Sequence, residues 1–184
     1  MEVWVIGIVL TWLAVISWYD LKKREVPHSL WVIVPLICAM FYQVVAGDWR
    51  LTFLSVVIAL VSERQRLEKL TDLKIDTIFF WAPFLFAGLY LAGSHNPIGA
   101  IAMVGFWLAW ELRCWGGADA VASITLVLIW PDIKLILALL AVHAIVAFIA
   151  TIVSLVKERK FRVHHLPGLP LLFFSVVLRS IFFS

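Results

Sequence analysis

The stretch EVWVIGIVLTWLAVISWY, residues 2–19, carries a single charge, at Glu2, and runs directly into Asp20-Leu21-Lys22-Lys23-Arg24. At 1.5 Å per helical residue such a run covers most of a hydrocarbon layer about 30 Å thick. A cleaved secretory signal would need a basic start and a small-residue cleavage site, and this stretch has neither, so it reads as a retained span. Outward from it lie seven more apolar segments, roughly 28–46, 50–63, 76–92, 96–112, 119–130, 133–156 and 167–183. Segments 50–63 and 119–130 are short for a full crossing. Of the 184 residues, 64% are hydrophobic and 15% charged, against about 25% charged in soluble domains. A chain this apolar cannot hide its side chains in one water-soluble core. The predicted fold is all-α, a polytopic transmembrane helix bundle of about eight segments forming one integral membrane domain over 1–184. The lipid bilayer is its first expected partner.

Sidedness follows from the basic residues, which concentrate on the cytoplasmic side of membrane proteins. If Lys22, Lys23 and Arg24 are cytoplasmic and the eight segments alternate, twelve basic residues fall on that side. The other side receives three, Arg50, Lys134 and Arg179. This predicts an extracytoplasmic N-terminus, and it brings Asp20 and Asp119 to the cytoplasmic face. The polar insert ERQRLEKLTDLKID, residues 63–76, reads as a solvated cytoplasmic loop, with Arg64 and Glu68 spaced to pair along a helix. The formal charge of +3 is scattered over such loops, which is no nucleic-acid footprint. Cys38 and Cys114 form no CxxC pair, so neither a zinc site nor a disulfide framework is indicated. Of the ten tryptophans, Trp4, Trp49, Trp81, Trp115 and Trp130 fall near segment ends, where an interfacial belt would lie.

Two aspartates stand out. Asp20 ends the first segment, and Asp119 opens the sixth within Cys114-Trp-Gly-Gly-Ala-Asp-Ala-Val-Ala-Ser123. Ionisable groups at membrane depth are costly and default to function. Plain structural readings stand beside the functional one: Asp20 can reach headgroup water, and Asp119 can sit at a helix start. Gly116, Gly117 and Ala118 form a small-residue patch that lets another backbone approach a carboxylate closely. Two carboxylates that share a site cannot both ionise easily, so one keeps a proton. Such a pair supplies both the base and the acid that peptide hydrolysis needs. No Ser or Cys with a neighbouring His competes for the role. His164 and His165 read as solvated loop residues. His143, inside an apolar segment, reads as a hydrogen-bonding residue between helices. Glu111 and Arg113 read either as a pair or as residues lining the cytoplasmic mouth near the second aspartate.

These residues resemble the prepilin peptidase family of intramembrane aspartyl proteases, which includes archaeal preflagellin peptidases. Asp20-Leu-Lys-Lys-Arg-Glu-Val-Pro27 is similar to the family's first-aspartate segment, with His28 where bacterial members usually have Asn. Gly116-Gly-Ala-Asp119 is similar to its Gly-x-Gly-Asp motif, with Ala118 in place of the second glycine. The resemblance implies that Asp20 and Asp119 are the catalytic pair. It also implies that Pro27, the Gly116–Ala118 patch and the Pro167-Gly-Leu-Pro170 segment shape the substrate cleft. Prolines opening a helix account equally well for that last segment. The expected substrate is a pilin-like precursor with a basic leader before a hydrophobic helix, cut at the cytoplasmic boundary of a prokaryotic plasma membrane. No metal or other cofactor is called for. The CxxC-bearing domain of the bifunctional members is missing, so no N-methyltransferase activity is expected. Val121 stands where the family often has Lys. The 99 positions from Asp20 to Asp119 exceed the family's core spacing by about a helical hairpin. Residues 50–92 are the expected insertion. Two other classes stay open on the sequence: a catalytically silent pilin-binding assembly factor, and a small proton- or ion-coupled transporter using Asp20, Asp119 and His143.

Overall fold

The structure, a computed structural model, describes residues 2–23, 29–64, 68, 77–93, 97–158 and 168–182. Among them there is no strand. Eight α-helices fall on the eight apolar segments: α1 (Glu2–Lys23), α2 (Val34–Val45), α3 (Trp49–Ser62), α4 (Ala82–Gly93), α5 (Ile98–Glu111), α6 (Gly117–Ile129), α7 (Ile133–Glu158) and α8 (Gly168–Phe182). A π-helical turn, Ser29–Ile33, leads into α2, and a 3-10 turn, Thr77–Trp81, leads into α4. Among the described residues one stretch, Val3–Lys22, is long and apolar enough by itself to cross a membrane, and the other apolar helical stretches, Ile133–Ile149 of α7 included, run to 10–17 residues.

The chain divides into two compact units. The first comprises Met1–Trp31 and Ile133–Ser184, and the second comprises Val32–Asp132. In the first, α8 packs against both α1 and α7. Each helix buries a stripe at helical spacing: Val9, Leu13 and Ile16 on α1; Leu135, Ala138 and Leu139 on α7; Leu169, Leu172 and Val176 on α8. Pro35 explains how Trp31 is held. In an unbroken helix the N–H of residue 35 would bond the Trp31 carbonyl, and proline has no N–H. The indole Nε1 of Trp12 donates to that carbonyl instead, at 2.8 Å. His143, expected to bond between helices, has its Nδ1 at 2.8 Å from the carbonyl of Leu139 in its own helix.

In the second unit α6 touches α2, α3 and α5, and α3 also touches α2, α4 and α5. The segments read as an inserted hairpin, α3 and α4, thus lie side by side. Most of their connecting loop, 63–76, is outside the described residues. Helix α6 is buried nearly all round, with every residue from Ala122 to Leu128 inside. Helix α2 ends in a Schellman turn: Asp48 N–H donates to Gln43 O and Gly47 N–H to Val44 O, both at 3.1 Å, with Gly47 at φ +96°. The next residue, Asp48, caps α3 by accepting from Leu51 N–H at 3.2 Å. At the opposite end Arg64 donates to Glu111 from both terminal guanidinium nitrogens, Nη1 and Nη2, at 3.0 and 3.3 Å, and lies over the Phe80 ring. Phe80 and Phe84 flank the buried Trp107, centroids 5.2 and 5.7 Å away. This cluster ties together the ends of α3 and α5 and the start of α4.

Large apolar side chains also point outward in both units. Trp4, Ile8 and Trp18 on α1, Phe53 on α3, Leu85 and Leu89 on α4, Ile101 on α5, Leu140 and Phe148 on α7 and Phe174 on α8 are all exposed.

Candidate active site

The second aspartate is set by the way α5 ends and α6 begins. Helix α5 closes with Arg113 N–H donating to Trp110 O and Cys114 N–H to Ala109 O, both at 2.8 Å. Arg113 takes φ +58°, a left-handed conformation that costs a residue with a Cβ about 1–2 kcal/mol. The tight turn sends Trp115 back onto α5, where its ring stacks on Phe106 at 5.2 Å and 13°. Gly116 follows, extended, as the N-cap of α6, so Asp119 is the third helical residue. Ala120 N–H donates to Gly116 O at 3.1 Å and Ser123 Oγ donates to Asp119 O at 2.8 Å.

The two glycines make room for this arrangement. A Cβ on Gly116 would stand 3.1 Å from Asp119 Oδ2, and one on Gly117 would stand 3.2 Å from Trp110 Nε1. The Asp119 carboxylate is therefore turned back over the N-cap, toward the end of α6 where free backbone N–H groups favour negative charge. Either glycine could carry a methyl group only if a neighbour moved. The half-buried Asp119 lies at the same end of the second unit as the Arg64–Glu111 pair. To the two readings of Glu111, pairing with Arg113 or lining the mouth near the second aspartate, the structure adds a third: its cation is Arg64, just past the end of α3.

Asp20 belongs to the first unit. It lies in the last turn of α1, half-buried, four residues after the fully buried Ile16. That spacing puts it on the stripe of Val9, Leu13 and Ile16. Next to it Tyr19 meets the Trp31 ring at 6.2 Å, and Lys22 reaches over Trp18. Pro170 sits in the first turn of α8, where proline is compatible with a helix. Pro27 and Pro167 lie outside the described residues. Gly116, Gly117, Ala118 and Asp119 are thus gathered in one turn of the second unit, while Asp20 and Pro170 belong to the first.

Sequence reading missed the Trp110 indole at Gly117, the strained Arg113 and the Phe106–Trp115 stack. A tryptophan six residues before a glycine pair carries no such signal by spacing alone. Arg113 occupies a position that glycine usually fills. The chain matches no protein-family model, no curated protein and no solved structure.

Proposed function

We propose that the chain is a polytopic protein of a prokaryotic plasma membrane and an aspartic endopeptidase of the prepilin peptidase kind, with Asp20 and Asp119 as its catalytic pair. The observation that carries this reading is the turn at Gly116 and Gly117. Those glycines let the Asp119 carboxylate and the Trp110 indole lie close against the backbone at the start of α6, so that the carboxylate is held by a tightly packed turn next to a backbone already under strain at Arg113. The outward-facing Trp4, Phe53, Leu89 and Phe148 support the membrane setting, since water-soluble monomers rarely expose apolar surface so widely. The shorter helices cross with help. Helix α2 and its π turn span 29–45, α4 and its 3-10 turn span 77–93, and α6 is covered by protein rather than lipid.

The substrate is a pilin-like precursor whose hydrophobic helix lies in the bilayer and whose basic leader stays at the cytoplasmic boundary. The ionised aspartate takes a proton from water as its oxygen bonds to the scissile carbonyl carbon. The protonated aspartate polarises the carbonyl oxygen. The C–N bond then breaks and the amine leaves with a proton from the pair. The reaction requires both carboxylates to reach one water.

The test is cleavage of a reconstituted precursor. Asp20→Asn and Asp119→Asn each cut at least about 100-fold more slowly than wild type, the lower range for losing a positioned acid or base. Thermal unfolding in detergent checks that both variants are folded. A folded variant that cleaves at the wild-type rate removes that aspartate from the mechanism.

A further inference from the structure

We infer that the groove between α3 and α4, at the end where Asp48 and Gly93 lie, binds one anionic phospholipid, with an acyl chain along the groove and the headgroup phosphate on Arg50. The inference rests on the membrane reading and is independent of the protease. The groove has a volume of about 620 Å³ and a largely apolar lining that includes Trp49, Phe53, Phe86 and Leu89. Phe53 and Phe86 meet edge to face at 5.1 Å, and Phe53, Leu89 and Trp49 are exposed.

Among the described residues Arg50 is the only charged one in the lining. Its Nη1 donates to Gly93 O at 3.1 Å, and its guanidinium lies over the Trp49 ring, 5.8 Å from the centroid. A Cβ on Gly93 would stand 2.8 Å from that Nη1, so glycine is what lets the guanidinium sit there. These contacts fix its place without neutralising it. Asp48, two residues earlier, turns its carboxylate to Leu51 N–H at 3.2 Å and to the Tyr90 hydroxyl at 2.6 Å. Among the described residues no carboxylate lies within ion-pair distance of Arg50. The guanidinium has five N–H donors in a fork that matches phosphate oxygens, and one donor is used. A tryptophan and an arginine at the mouth of an apolar groove suit the headgroup level of a bilayer. One cation without a counter-ion selects a headgroup with net negative charge over a zwitterion.

The test is native mass spectrometry of the full chain in neutral detergent, titrated with phosphatidylglycerol or phosphatidylcholine of identical acyl chains. Wild type prefers phosphatidylglycerol about fivefold, the order expected of one basic residue facing an anionic lipid. Arg50→Gln loses the preference and Arg50→Lys keeps part of it. Leu89→Trp, which fills the groove and leaves Arg50 in place, weakens both lipids. Inorganic phosphate does not displace the lipid. An unchanged preference in Arg50→Gln, unchanged binding in Leu89→Trp, or displacement by phosphate would each overturn the site. Flotation with vesicles separates the two readings. A chain that floats but shows no preference loses the lipid site alone, and a chain that does not float loses the membrane reading as well.

Discussion

Single side chains carry consequences that their neighbours in sequence do not announce. The bond from Trp12 Nε1 to the Trp31 carbonyl replaces a backbone bond that Pro35 cannot make. Trp12→Phe therefore costs about 1 kcal/mol, the usual net worth of such a bond. Trp18→Phe, on an exposed face, costs nothing measurable. Chemical denaturation in mixed micelles compares the two. Pro35 is visible in the sequence, but which donor takes up the orphaned carbonyl depends on tertiary packing. The glycines at the second aspartate behave likewise. The motif Gly-Gly-Ala-Asp is legible, whereas the indole of Trp110 at Gly117 is not. Gly116→Ala and Gly117→Ala slow precursor cleavage. Gly105→Ala, on the open face of α5 with nothing near a Cβ, leaves cleavage unchanged and stabilises the fold by about 0.5–1 kcal/mol. Equal effects at all three positions would count against a crowded turn at Asp119.

At the level of elements, the eight helices among the described residues were legible because each apolar segment is bordered on at least one side by charge, glycine or proline. The contacts that join them were not. Arg64 looked placed to pair with Glu68 one turn away, yet it holds Glu111, forty-seven residues distant. A local period carries no information about which helix end a neighbour will present. A double-mutant cycle on Arg64→Gln and Glu111→Gln gives a coupling of about 1 kcal/mol, the upper range for a partly exposed ion pair with two-point geometry. Additive effects would mean that the pair contributes nothing to stability. The end of α5 gives a second prediction. Arg113 occupies a left-handed position, so Arg113→Gly raises stability by about 1 kcal/mol. A loss of stability would show that the arginine side chain outweighs its backbone strain.

For the whole molecule, the chain supplies its own topology probes. Its two cysteines are both exposed, Cys38 on α2 and Cys114 in the turn before α6. In the proposed orientation Cys38 faces lipid and Cys114 faces the cytoplasm. A membrane-impermeant maleimide then labels Cys114 in inside-out vesicles and spares it in right-side-out ones, while Cys38 stays unmodified in both until detergent is added. Labelling of Cys114 only in right-side-out vesicles reverses the orientation. All-helical architecture could be read from hydropathy alone. The division into two compact units could not, because hydropathy gives each segment a solvent and not a neighbour.

The enclosure of α6 bears on how the gene can vary. A helix with one lipid or solvent face accepts substitutions there, so its tolerance rises and falls every three to four residues. From Ala122 to Leu128 no residue of α6 has such a face. A saturation library should therefore show periodic tolerance along α1 and α4 and an unbroken trough over these seven codons. Drift in the segment that carries Asp119 is then confined to exchanges that conserve volume.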